Sequence, residues 1–210
     1  MRIALNLKGL DYEVIPVHLL KSGGEQSSPD YVKKNPNRLV PLYSDGTHTI
    51  HQSLAIIEYL EEIQASPPLL PQSPIDRAWV RAVAMDIAID VHPLGNVRVL
   101  RYLIRQLGLG MEAKDNWNQH WMTLGLTSLE KQLGSDPRAG RFAYGNQPGL
   151  IDICLVPQIF NALSAKMTME AYPTVMKIFN ECMTLPAFID ASWEKQIAAE
   201  GSNPLAPPQE

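Results

Sequence analysis

NPNRLVPLYSDGTHTIHQSLAIIEYLEE, residues 35–62, reads as a loop ending in Val40-Pro41, a short strand, a turn at Asp45-Gly46, a second strand and a helix. The helix begins at Gln52-Ser53 and carries Leu54, Ile56, Ile57, Leu60 and Ile63 as an apolar face. Ser53 reads as its N-cap, because a hydroxyl accepts a bond from an orphan N–H of the first turn. Such a helix start also suits an anion, since free N–H groups and the positive dipole end converge there. A proline opening a strand gives no N–H to a ladder. With Val40-Pro41 cis, an isomer of low cost for an X–Pro bond, the Val40 N–H and C=O face outward and pair with an extended peptide. A peptide-pairing edge and an anion-accepting helix start together suit a small anionic peptide.

The ordered set of Val40-Pro41, turn, strand, Gln52-Ser53 and AIIEYLEE resembles the glutathione-binding core of the soluble glutathione transferases. That resemblance implies a two-domain glutathione transferase fold, with an N-terminal α/β thioredoxin-like domain and a C-terminal all-α domain. It implies glutathione as cofactor, its cysteinyl backbone on Val40 beside Pro41 and its γ-glutamyl end on Gln52 and Ser53. RIALNLKGLDYEVIPVHLLKSGGEQ, residues 2–26, is similar to the zeta class, the maleylacetoacetate and maleylpyruvate isomerases. In that class a strand and a Ser-rich turn precede this segment. The expectation is therefore an incomplete first domain, with the family's thiol-activating hydroxyl matched by no residue here. Loss of one buried residue costs about 2–5 kcal/mol against a total of about 5–15, so the expectation is either a poorly stable chain or one in which something else fills that position.

The 210 residues suffice for one large or two modest domains. A 45% hydrophobic and 19% charged composition is globular, and a net charge of −4 excludes a nucleic-acid binder. No apolar run reaches the roughly 20 residues of a membrane span, and the N-terminus lacks the apolar core of a signal peptide. Cys154 and Cys182 sit in apolar helical surroundings and read as buried free thiols in a reducing, cytoplasmic compartment.

Residues 1–9 alternate like a strand but also fit the tail of a helix closed by Gly9; the helix is favoured. Tyr12 to Leu19 is expected as an edge strand because of Pro16. A Gly-rich loop (21–29), then one or two helical turns (30–34), lead to Asn35. The domain boundaries read as 1–66, a Pro-rich linker 67–73, a helical domain 74–200 and a tail 201–210. Helices are expected from Ser73-Pro74 to His92-Pro93 (apolar face Ile75, Trp79, Val80, Val83, Ile87, Val91), then over 94–107, 112–133, 150–165, 173–183 and from Pro186 to about Ala199. The helix 150–165 is apolar enough to be central. Asp152 reads as a folding determinant in its first turn; family members carry Ser or Thr at the position of Gly149, forming a capping box.

Asp90 to Leu100, DVHPLGNVRVL, resembles the zeta-class D-x-H-P-x-x-N-x-R-x-L segment. The resemblance implies that His92, Asn96 and Arg98 line the pocket for glutathione and substrate, and that Gln26 contacts the glycine end of glutathione. Arg98 and Arg101 supply fixed charge of the geometry a dicarboxylate accepts. His18 and His51 have no second ligand at metal spacing and read as structural. The implied activity is glutathione-dependent cis–trans isomerisation of maleylacetoacetate, in tyrosine and phenylalanine breakdown, by a homodimer. Maleylpyruvate isomerisation, general glutathione transfer and non-catalytic glutathione binding are the alternatives.

Overall fold

In the computed structural model, which describes residues 1–195, β1 (Leu42–Ser44) pairs antiparallel with β2 (Thr49–His51), in the register Leu42 to His51. The connecting turn follows from Asp45 and Gly46. One Asp45 carboxylate oxygen accepts the N–H groups of Thr47 (2.9 Å) and His48 (2.7 Å), and Gly46 supplies φ +90°, which a side chain resists. These backbone donors, His48 first, and the His48 ring hold the Asp45 carboxyl well below the usual carboxylate range. The other oxygen accepts the hydroxyl of Tyr59 at 3.0 Å, which ties the hairpin to α3 (Ser53–Ile63).

Two compact units result, Met1–Pro67 with residues 189–195, and Pro68–Phe188. In the first, α1 (Arg2–Leu7) buries Ile3, Ala4 and Leu5 and is closed by Gly9 at φ +63°, so the favoured helical reading holds. The Lys8 side chain is fully buried and its ammonium donates to Glu61 (2.7 Å), to the carbonyl of Gln64 and to that of Pro67 (3.0 Å). Gln64 returns a bond to the Lys8 carbonyl at 2.6 Å. The last turns of α1 and α3 are thus joined by one cation with three acceptors. Arg2 donates to Ala191 at 3.1 Å and fastens residues 189–195 to this unit.

The expected strand Tyr12–Leu19 is corrected: residues 10–18 form no strand. A strand exists through the bonds it exchanges with a neighbour, and among the described residues the one sheet is β1–β2. Ile15 is 77% exposed, so its alternation buries nothing. α2 (Pro29–Lys34) is capped by the Ser28 hydroxyl, which accepts from Tyr31 N–H.

The second unit is helical. α4 (Pro74–Met85) passes into a π-helical turn, Asp86–Val91, and a 3₁₀ turn, His92–Gly95. Val80, Val83, Ala84, Ile87 and Val91 are buried, whereas Ile75, expected on that face, is 72% exposed. α5 spans Val97–Arg105, starting three residues later than expected because the 3₁₀ turn occupies 92–95. α6 (Met111–Ser135) buries Met122, Leu126, Leu129 and Leu133, one stripe at helical spacing. α7 (Leu150–Ser164) is buried on nearly all sides, with Leu150, Ile151, Ile153, Leu155, Val156, Ile159 and Ala162, and is the centre of this unit as its composition requires. α8 (Pro173–Cys182) follows. α9 (Pro186–Ile189) is short and a 3₁₀ turn covers Trp193–Lys195, so the expected helix from Pro186 is broken; its remainder and the tail lie outside the described residues.

Glu130 on α6 accepts the N–H groups of Thr174 (3.0 Å) and Val175 (2.9 Å), orphan donors of the α8 start. Glu130→Ala is expected to lower stability by about 1–2 kcal/mol, the scale of a lost cap. Urea unfolding checks it, and an unchanged midpoint would deny the contact its role.

Candidate active site

In the first unit the open backbone of Val40 is fixed from behind. Asn35, 1% exposed, donates its amide to the Leu39 carbonyl at 2.7 Å, and the Tyr31 hydroxyl donates to the same oxygen at 2.7 Å. Asn35 also accepts the Asn37 N–H at 3.2 Å, closing the Asn-Pro-Asn turn. These two polar anchors were not singled out from the sequence; the Asn-Pro dipeptide, a turn starter, was the available signal. The Val40–Pro41 peptide bond is cis, and Val40 is 41% exposed with Pro41 half-buried beside it. Among the described residues neither the N–H nor the C=O of Val40 has a hydrogen-bond partner. That is an unladdered edge able to accept an extended peptide.

The start of α3 departs from expectation in one respect. Its N-cap is Gln52, and Ser53 is the first helical residue. Gln52 is exposed and held at φ +73°, ψ 117°, a backbone region that costs a non-glycine residue about 1–3 kcal/mol and collects at ligand-holding sites. No side chain caps the helix. The first N–H groups therefore stay available, beside the half-buried Ser53 hydroxyl, for a carboxylate.

Gln26 lies in a 3₁₀ turn, Glu25–Ser27. The base of its loop is closed by Glu25, whose N–H bonds the His18 carbonyl and whose carboxylate accepts the His18 N–H, both at 2.8 Å. The Gln26 side-chain oxygen is buried without a partner among the described residues, an acceptor that a ligand donor would satisfy. The His18 ring accepts from Leu20 and Lys21 N–H groups, a turn-holding role.

In the second unit Asn96 caps α5, its side chain accepting the Arg98 N–H at 3.1 Å. Arg98 is exposed and, among the described residues, its guanidinium has no ion-pair partner. Arg101 follows at i+3 on the same side of α5. His92 opens the 3₁₀ turn and is an exposed residue, and desolvation by the surrounding protein lowers its pKa. The structure thus places Gln26, Val40, Pro41, Gln52 and Ser53 in one unit and His92, Asn96 and Arg98 in the other.

Among the described residues no group of His, Cys, Asp and Glu is arranged to hold a metal ion. Cys154 and Cys182 are free thiols. Burial pushes Cys154 up to about 12, and burial together with the neighbouring Asp152 pushes Cys182 up as well. Shifts in this direction suppress the thiolate, the nucleophilic form.

An edge for an extended peptide, an uncapped helix start and a helical second unit define a glutathione transferase, and residues 1–68 match the glutathione S-transferase N-terminal domain family. A Vibrio cholerae protein named "Probable maleylacetoacetate isomerase" is 44% identical over 93% of this chain and 90% of its own length. A maleylacetoacetate isomerase from Methylobacterium extorquens AM1, solved with malonate and glutathione, is 37% identical with a TM-score of 0.91, covering 94% of this chain and 92% of that one. A bacterial zeta-class maleylpyruvate isomerase, in its holo form, is 38% identical with a TM-score of 0.90 over 93% and 92%. The chain belongs to the maleylacetoacetate isomerase family, the zeta class of the glutathione transferases. The two-domain fold expected from its motifs is the fold it has.

Proposed function

We propose that the protein is a glutathione-dependent cis–trans isomerase that converts maleylacetoacetate to fumarylacetoacetate. The observation that carries this reading is the Val40 backbone, open on both N–H and C=O, in the same unit as the uncapped start of α3. Membership of a family whose relatives are named for this reaction supports it across most of the chain. Glutathione, when bound, would supply a thiol sulfur for reversible addition to the cis double bond, which would allow rotation about a single bond.

Val40 pairs with the cysteinyl backbone of the tripeptide. Gln52, Ser53 and the free N–H groups of α3 hold its γ-glutamyl carboxylate, and Gln26 accepts a donor from its glycine end. Pro41 gives no N–H and so keeps that edge out of the β1 ladder. In the second unit His92, Asn96 and Arg98 are the substrate-binding residues, Arg98 gripping a carboxylate bidentately. Fixed positive charge of this kind also stabilises the enolate oxygen that develops during rotation. Homodimeric assembly and a cytoplasmic location belong to the same proposal. No helix among the described residues is long and apolar enough to cross a membrane.

Loss of maleylacetoacetate absorbance, with and without glutathione, tests the reading. Activity only with glutathione is expected; calorimetry showing no heat on glutathione addition would overturn it. Maleylpyruvate is the second substrate to assay, because a solved relative 38% identical to this chain bears that name. Arg98→Ala is expected to raise KM for the dicarboxylate about tenfold to a hundredfold, matching the roughly 1.5–3 kcal/mol of a charge-assisted bond. An unchanged KM would remove Arg98 from the substrate site.

A further inference from the structure

The segment carrying His92, Asn96 and Arg98 is not reached by continuous α-helix. The turn before it, Asp86–Val91, is π-helical. Such a turn holds one residue more than an α-turn, and one residue is about 100° of rotation for every side chain that follows. A wide turn is unfavourable on its own, so something must hold it open.

Helix α6 does so at four points. Gln132 donates its amide to Asp86 at 3.0 Å. Gly125 faces Val91 so closely that a Cβ there would lie 2.2 Å from Val91 Cγ2. Asn118 sets its side-chain oxygen against Gly95, 2.6 Å from where a Cβ would be. Trp117 donates its indole N–H to the Leu94 carbonyl at 2.9 Å. Positions 118, 125 and 132 are two turns apart each, one line along α6, and they meet Gly95, Val91 and Asp86 in reverse order. A single face of α6 therefore fixes the whole path from Asp86 to Gly95. Gly125 matters most: Val91 is β-branched and buried, and it has no easy rotamer escape.

We propose that Gly125 and Trp117 are positioning residues that set the register of the wide turn and so the aim of His92, Asn96 and Arg98. This rests on the assignment of those three residues to the substrate site. Three variants test it: Gly125→Ala, the double variant Val91→Ala with Gly125→Ala, and Trp117→Phe. The double variant makes room for the new methyl group.

Two functional measurements are taken, KM and kcat for maleylacetoacetate and the Kd of malonate with glutathione present. Urea unfolding is followed in parallel. Gly125→Ala is expected to raise KM and the malonate Kd about tenfold or more, a scale set by misplacement of roughly an ångström. The double variant restores both most of the way, and Trp117→Phe shifts them in the same direction as Gly125→Ala. Variants that lose only unfolding midpoint, with KM, kcat and malonate Kd of the folded protein unchanged, would overturn the inference. Should Gly125→Ala not fold, the double variant and Trp117→Phe decide on the same measurements. A parent protein with neither turnover nor malonate binding would remove the functional reading itself, and the inference with it.

Discussion

Lys8→Met is expected to destabilise the protein by about 3–5 kcal/mol, the cost of leaving one member of a buried pair behind. Lys8 is fully enclosed, and its ammonium has three oxygen acceptors: Glu61, Gln64 and Pro67. Methionine fills the space but donates nothing, so two backbone carbonyls and a carboxylate that is 8% exposed lose their donor. Against a total of about 5–15 kcal/mol, much of the folded population at elevated temperature would go. Adding Glu61→Leu to Lys8→Met is expected to recover part of the loss, because removing both charges is far cheaper than removing one. Urea unfolding of both variants checks this. Equal stability of Lys8→Met and the parent would mean that the cation contributes no net energy.

The second large effect is at Asp152. Its carboxylate is 1% exposed and accepts the Ala143 N–H at 2.9 Å and the Gly149 N–H at 2.8 Å. Asp152→Ala leaves the buried Ala143 donor and the part-buried Gly149 donor without this acceptor, at roughly 1–3 kcal/mol each. Burial pushes the Asp152 carboxyl up to about 6 from its ordinary 3.8, although the Ala143 and Gly149 N–H groups favour the charged form. Between those two values the folded state holds more protons than the unfolded one. Stability therefore falls as pH rises from about 4 to about 6, and this contribution levels off above. Asp152→Asn, always neutral, is expected to flatten that part of the profile while lowering stability by about 1–3 kcal/mol. Persistence of the same slope in Asp152→Asn would assign it to another group.

The sequence showed most clearly what local chemistry determines. Asp45-Gly46 between short apolar runs forces the hairpin, Gly9 ends α1, and the unbroken apolar run of α7 requires a central place. Tyr12–Leu19 was misread because strand propensity has no force without a neighbour to bond. The cap falls at Gln52, one residue before the expected Ser53, since the positive-φ backbone of Gln52 is set by what surrounds it and not by its side chain. The Lys8–Glu61 pair joins residues 53 apart, and nothing in either neighbourhood announces it. The π-helical turn depends on Gly125, more than thirty residues downstream, so the Asp90–Leu100 motif could be recognised while its geometry stayed hidden.

Gly149 illustrates the same point from the other side. Its departure from the family's Ser or Thr looked like a lost capping bond. In the fold the Leu69 carbonyl sits 2.9 Å from where a Cβ would stand, and it accepts the Leu150 N–H at 3.0 Å. A side chain at 149 would crowd the Leu69 carbonyl, and Asp152 still serves the Gly149 N–H.

The two cysteines have a practical consequence for experiments. With both protein thiols pushed up by their surroundings, electrophiles added at neutral pH are expected to react first with the sulfur of the tripeptide. Thiol-consumption assays and covalent probes are thus expected to report chiefly on the cofactor, and the same assay on the protein without glutathione checks it.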